Sequence, residues 1–159
     1  MDRNDPPFEA VDPGYRQVVR VRLAIAWIVL LAIAFVADRI LLGEVGIGGI
    51  LPGAVFVAAA GVVIWVPRRI YLRLRYRLTD QMLQLMRGWL FHTDTIVPLV
   101  RVQHLDVVRG PVDKLFGTAS LVVHTAGTHN SIVTLPGLSP ERAAQIRDVI
   151  RDHVRTDLD

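Results

Sequence analysis

Val45–Val66, VGIGGILPGAVFVAAAGVVIWV, runs without a charged residue and is followed at once by Arg68, Arg69, Arg73, Arg75 and Arg77. At 1.5 Å per helical residue, a run of this length covers the hydrocarbon core of a bilayer, about 30 Å. A soluble domain of this size has no place for it, so it reads as a membrane-spanning helix. Upstream, Leu23–Ala37 is a second apolar run. Alone it reaches only about 22 Å. It therefore draws on Val18, Val19 and Val21 on one side and Ile40, Leu41 and Leu42 on the other, with Arg22 and Arg39 snorkelling toward headgroups.

Between the spans, Gly43–Gly49 supplies a turn, and Pro52 suits a first helical turn, which lets the second helix start nearer Gly49 than Val45. Gly49, Gly53, Ala54, Ala58 and Gly61 recur on neighbouring faces. They either let the second helix approach the first closely or reflect the ordinary abundance of small residues in bilayer helices. Arg16, Arg20 and Arg22 precede the first span and five Arg follow the second, whereas the connection holds Arg39 beside Asp38 and Glu44. The positive-inside rule then places both termini in the cytoplasm of a two-pass inner-membrane protein. A cleaved signal peptide is the competing reading, but its Ala32 and Ala34 match lies inside the apolar run.

The remaining composition narrows the rest. The chain has 159 residues, 52% of them apolar, and no cysteine, which leaves one small domain beside the hairpin and no disulfide framework. Residues 1–77 carry +4 and residues 78–159 carry −1, so the basicity is juxtamembrane. A nucleic-acid binder spreads its cations over a folded face, and that partner is not expected.

Downstream, Leu72, Leu74, Tyr76 and Leu78 alternate with Arg73, Arg75 and Arg77, the period of a strand with one buried face. After Thr79–Gln81, Met82–Leu90 continues as a second strand with Leu83, Leu85 and Trp89 on a common face. Short β-prone segments follow at Thr95–Pro98, Val100–Val108, Leu121–Thr125 and Ser131–Leu135, separated by Gly- and Pro-bearing turns. Ser139 is a good N-cap and Pro140 a good first helical residue, and Ala143, Ile146, Ile150 and Val154 then recur at helical spacing. The expected domain is an antiparallel β-sandwich or open barrel closed by one C-terminal amphipathic helix, so the chain is an α+β membrane protein.

Four pieces in order carry a family resemblance: Val97-Pro98-Leu99-Val100-Arg101-Val102-Gln103-His104, Gly110-Pro111-Val112-Asp113-Lys114-Leu115-Phe116-Gly117-Thr118-Ala119, His124-Thr125-Ala126-Gly127 and Leu135-Pro136-Gly137-Leu138. Behind a two-helix anchor they resemble the bacterial membrane-anchored PH-like family, the YdbS-like proteins, from Arg68 to about His153. The resemblance implies a cytoplasmic PH-like domain held at the membrane, and a larger multi-PH membrane protein as partner. It implies no reaction. The expected organisation is a cytoplasmic tail over 1–15, the transmembrane hairpin over 16–69, the PH-like domain over 70–155 and a tail over 156–159. Leu115 and Phe116 read as a plug at the end of the sheet, or as part of a ligand-clasping loop.

No catalytic residue, cofactor or metal ligand is assigned. His92, His104, His124, His129 and His153 show no close zinc-ligand spacing. His104, Asp106 and Ser131 suggest a hydrolase only loosely, without a nucleophile elbow, and the glycines of Gly46–Gly49 lead into no soluble βα unit. The candidate headgroup contacts are Arg68, Arg69, Arg73, Arg75 and Arg77; the opposing reading is a solvated strand face that serves only as a topology signal. The candidate partner surface is Arg101, Gln103 and His104. The expected function is a non-enzymatic binding or assembly module that engages a membrane protein partner and anionic lipid. The alternative is an accessory subunit of a transport or envelope-stress and resistance system acting through its hairpin.

Overall fold

The computed structural model describes residues 6–41, 48–88, 92–126 and 132–156, with side chains as far as His153. The chain forms two compact units, one of Arg16–Arg69 and one that joins the segment up to Tyr15 with everything from Ile70 onward.

The first unit is built on two long helices, α1 (Gly14–Leu41) and α2 (Ile50–Arg73). Each is long and apolar enough to cross a membrane. Their apolar side chains stay largely uncovered, as at Ile28 (65% exposed), Val57 (72%) and Trp65 (67%), which suits a lipid environment. The start of α2 has a specific cause. Gly49 takes φ +97°, and the buried Asp38 carboxylate accepts N–H bonds from Gly49 (2.7 Å) and Leu51 (3.3 Å). A side chain from the end of one helix thus satisfies orphan amides at the beginning of the next.

The small-residue face does not pack within the chain. Gly53, Ala54, Ala58 and Gly61 are exposed, and a Cβ added at Gly53 or Gly61 meets no atom within 4 Å. The other end of α2 also departs from expectation. It continues through Pro67 to Arg73, so Leu72 and Arg73 are helical and the strand is shorter than Leu72–Leu78. The Leu74 amide still reaches the Ile70 carbonyl (3.1 Å), which follows from the low cost of extending an existing helix compared with starting a new element.

The second unit is a sandwich of two antiparallel sheets. The first has the order β1-β2-β3-β4, formed by β1 (Glu9–Ala10), β2 (Arg75–Leu78), β3 (Met82–Arg87) and β4 (Thr93–Pro98). The second has the order β5-β6-β7, formed by β5 (Val102–Val108), β6 (Ala119–Thr125) and β7 (Ile132–Leu138). Alternation sends Leu83, Leu85, Val97, Leu121, Val123 and Leu135 inward, each about 1.5–3 kcal/mol of burial. Helix α4 (Pro140–Thr156) covers β5 and β6 with Ala143, Ile146 and Ile150, and the Ser139 hydroxyl caps it by accepting the Arg142 amide at 3.2 Å. Val154, Trp89, Leu90, His129 and Ser131 lie outside the described side chains.

Three further differences from the sequence reading matter. The segment expected as a tail contributes β1, whose Glu9 and Ala10 stand opposite Tyr76 and Arg75, and Val11 beside it is 2% exposed. Val100 and Arg101, expected to begin a strand, lie instead in a 3-10 turn, Leu99–Arg101. The expected sheet plug is a short helix, α3 (Pro111–Leu115), and Leu115 points outward at 79% exposure while Phe116 is half-buried. The buried Asp113 carboxylate closes this turn, accepting bonds from the Gly110 amide (3.2 Å) and the Thr118 hydroxyl (3.1 Å).

Candidate functional site

The five arginines fall in different settings. Arg68 and Arg69 are exposed in α2 within the helical unit, and Arg73 ends the helix, exposed. Arg75 and Arg77 alternate with buried Tyr76 on β2, so a strand face carries two of these arginines rather than three. Arg77 already has local work. Its Nη2 donates to Gln84 Oε1 at 2.7 Å, and its guanidinium lies 4.8 Å from the centre of the Phe8 ring. Gln84, itself buried, donates onward to Asp94 Oδ2 at 2.7 Å, so Arg77, Gln84 and Asp94 form a polar chain across β2, β3 and β4.

Arg101, Gln103 and His104 are all exposed and sit in different local settings. Arg101 stands exposed in the 3-10 turn, Gln103 is the extra residue of a β-bulge between Val102 and His104, and His104 faces His124 on β6. The sheet register assembles a cluster from His104, Asp106 and His124. His104 Nε2 lies 3.0 Å from Asp106 Oδ1, and His124 Nε2 lies 3.4 Å from Asp106 Oδ2. His104 and Asp106 are legible as two residues apart on one strand; His124 needs the β5–β6 register. Among the described residues no group of three His, Asp or Glu is placed to hold a metal ion.

A second polar cluster joins three elements distant in sequence. Tyr76 donates its hydroxyl to Glu9 Oε2 at 2.6 Å, Arg142 Nη2 reaches both Glu9 oxygens at 2.6 and 2.7 Å, and Arg142 Nε donates to the Tyr76 oxygen at 3.2 Å. Burial raises the Glu9 carboxyl, but the hydrogen bonds from Tyr76 and Arg142 and the Arg142 charge outweigh it and hold it below its usual range. Burial, then the bond to Glu9, pushes the Tyr76 hydroxyl up. These groups tie β1 to β2 and α4.

An opening that involves a candidate residue runs along β4. It is a groove of about 390 Å³ lined by β4 together with Arg101, Thr125, Ala126 and Val133. Among the described residues, β4 ends its sheet and β5 ends the other.

Comparison with known proteins places this architecture. The chain is similar to the UPF0699 transmembrane protein YdbS of Bacillus subtilis (strain 168), with 34% identity over 105 residues, 65% of this chain and 64% of that protein. The match thus spans under two thirds of the relative's length. No solved structure matches the chain. The family described as Bacterial PH domain matches residues 18–154, which takes in both apolar helices and nearly all of the sandwich. The chain therefore belongs to the bacterial PH domain family.

Proposed function

We propose that this protein is a non-enzymatic binding and assembly module, held by two membrane spans and presenting its PH-like sandwich at the cytoplasmic face of the inner membrane to a membrane protein partner. The observation that carries this reading is the pairing of β1 with β2. The residues before the first span and after the second belong to one sheet, so a two-span anchor leaves both flanks on one side, and the arginine distribution favours the cytoplasm. An anchored sandwich with open sheet edges suits the holding of another polypeptide. The resemblance to YdbS-like proteins favours a larger multi-PH protein in that role. Arg68, Arg69, Arg73 and Arg75 add contact with anionic headgroups, worth about 1 kcal/mol each near the surface.

Cross-linking in native membranes followed by affinity capture tests this. The full chain and a version in which Arg16–Arg69 is replaced by a short Gly-Ser loop are expected to capture the same membrane protein. Loss of capture from the loop version overturns the assignment of binding to the sandwich.

One observation favours a second reading, in which the protein is an accessory subunit of a transport or envelope-stress and resistance system. The Gly53, Ala54, Ala58 and Gly61 face is left uncovered by the chain's own helices, and small residues are what close helix packing in a bilayer uses.

A further inference from the structure

The edge of β4 has a defined set of backbone groups with no partner strand among the described residues. The Leu99 amide donates to the Gln81 carbonyl at 2.9 Å, and the β3–β4 register pairs Leu83 with Val97 and Leu85 with Thr95. Bonded pairs alternate along an antiparallel ladder, so Thr93, Thr95 and Val97 turn their amides and carbonyls toward β3. Asp94 and Ile96 turn theirs outward, together with the Pro98 carbonyl. That is an open row of two donors and three acceptors along one wall of the groove.

At the Pro98 end of this row stands Arg101. It is exposed, and no carboxylate among the described residues pairs with it. Asp94, at the other end, already accepts from Gln84. The groove thus offers a strand edge with, at one end, a cation that no described carboxylate pairs.

Resting on the reading of the sandwich as a partner-binding module, we propose that the β4 groove takes an extended segment of a partner protein. The segment adds as a fifth strand beside β4 and places an Asp or Glu side chain against the Arg101 guanidinium. Backbone pairing supplies affinity, and the carboxylate supplies register and selectivity through a charge-assisted hydrogen bond. A second copy of β4 fits poorly. Antiparallel self-pairing about Ile96 sets Pro98 opposite Asp94, and the missing proline amide forfeits a bond at each end.

The test pans a random heptapeptide phage library against the full chain in nanodiscs. Selected peptides are expected to carry Asp or Glu at one fixed position and to bind Arg101→Glu at least about tenfold more weakly, the worth of one hydrogen bond to a charged group. Lys at that position restores binding to the Arg101→Glu chain. Ile96→Pro removes an outward amide that no strand uses, so the sheet stays intact by circular dichroism while peptide binding is lost. The proposal is overturned if no peptide is selected, if selected peptides lack the acid, if they bind the Arg101→Glu or Ile96→Pro chains unchanged, or if the groove is occupied by a second copy in sedimentation. A chain carrying either substitution that still captures its membrane partner sinks the groove and leaves the binding-module reading standing.

Discussion

Tyr76 and Glu9 lie 67 positions apart, on opposite sides of the helical unit in sequence, and share a 2.6 Å hydrogen bond on adjacent strands. The PH-like sandwich is therefore discontinuous, and the two membrane helices are an insertion between its first and second strands.

Truncation follows directly from that insertion. A chain starting at Ile70 lacks β1, the buried Val11 and the carboxylate that binds Tyr76 and Arg142. Loss of Val11 alone removes about 1.5–3 kcal/mol of burial. Thermal melts should place this truncated domain about 10 °C below one that keeps residues 1–15 and replaces Arg16–Arg69 with a short loop, at roughly 4–8 °C per kcal/mol for a domain of this size. Equal midpoints would show β1 to be dispensable.

The same cluster predicts a pH response. The Glu9 carboxyl is held below its usual value of 4.5 in the folded state. Its contribution is present above the unfolded value and is lost as pH falls through the lower folded value. Both partners are partly exposed, so solvent screening keeps the contribution below about 1 kcal/mol. Denaturant unfolding of the loop-replaced domain between pH 7 and pH 3 should show Glu9→Gln less stable at pH 7 and losing less stability below pH 4.5. Tyr76 acts at the other end: its raised hydroxyl contributes stability below pH 10 that is lost as pH rises through the folded value.

Asp38 is expected to control the start of α2. Asp38→Ala removes the acceptor for the Gly49 and Leu51 amides, at about 1 kcal/mol for a lost N-cap. Hydrogen exchange on the full chain in detergent micelles should then accelerate at Leu51 by about fivefold, whereas Asp38→Asn, which keeps an acceptor oxygen, should stay close to the parent. An unchanged rate at Leu51 in the alanine variant would remove the capping role.

Glycine substitutions separate the two units. Gly137 takes φ +77°, and a Cβ there lies 2.5 Å from the Tyr15 ring. At Gly14 a Cβ lies 2.5 Å from the Phe116 carbonyl oxygen. Alanine at either position should destabilise the full chain in micelles by about 1–3 kcal/mol, as overpacking does. Gly53→Ala and Gly61→Ala, which meet open space, should leave its melting midpoint unchanged. A fall in stability at Gly61 would show the small-residue face to be packed within the chain.

What the sequence made legible was whatever depends on neighbours in the chain. Apolar length revealed α1 and α2, and the spacing of Ala143, Ile146 and Ile150 with the Ser139 cap revealed α4. β1 escaped because two residues carry no period and their partners are Arg75 and Tyr76. The end of α2 was misplaced because alternation of Leu72 and Leu74 with arginine competes against a helix that needs no new nucleus. Arg101 was legible as a candidate, but its place beside a free strand edge was not, since that depends on the β3–β4 register and on a 3-10 turn. His124 joined His104 and Asp106 for the same reason: register is a long-range property.

The pairing of β1 with β2 also orders events during synthesis. β1 emerges first and has no strand to join until both apolar helices and the arginines behind them have been made. A chain that inserted only one of its helices would leave Glu9 and Tyr76 on opposite sides of the bilayer, and the first sheet would lack its edge. A sandwich that includes β1 thus requires that the chain has crossed the membrane an even number of times.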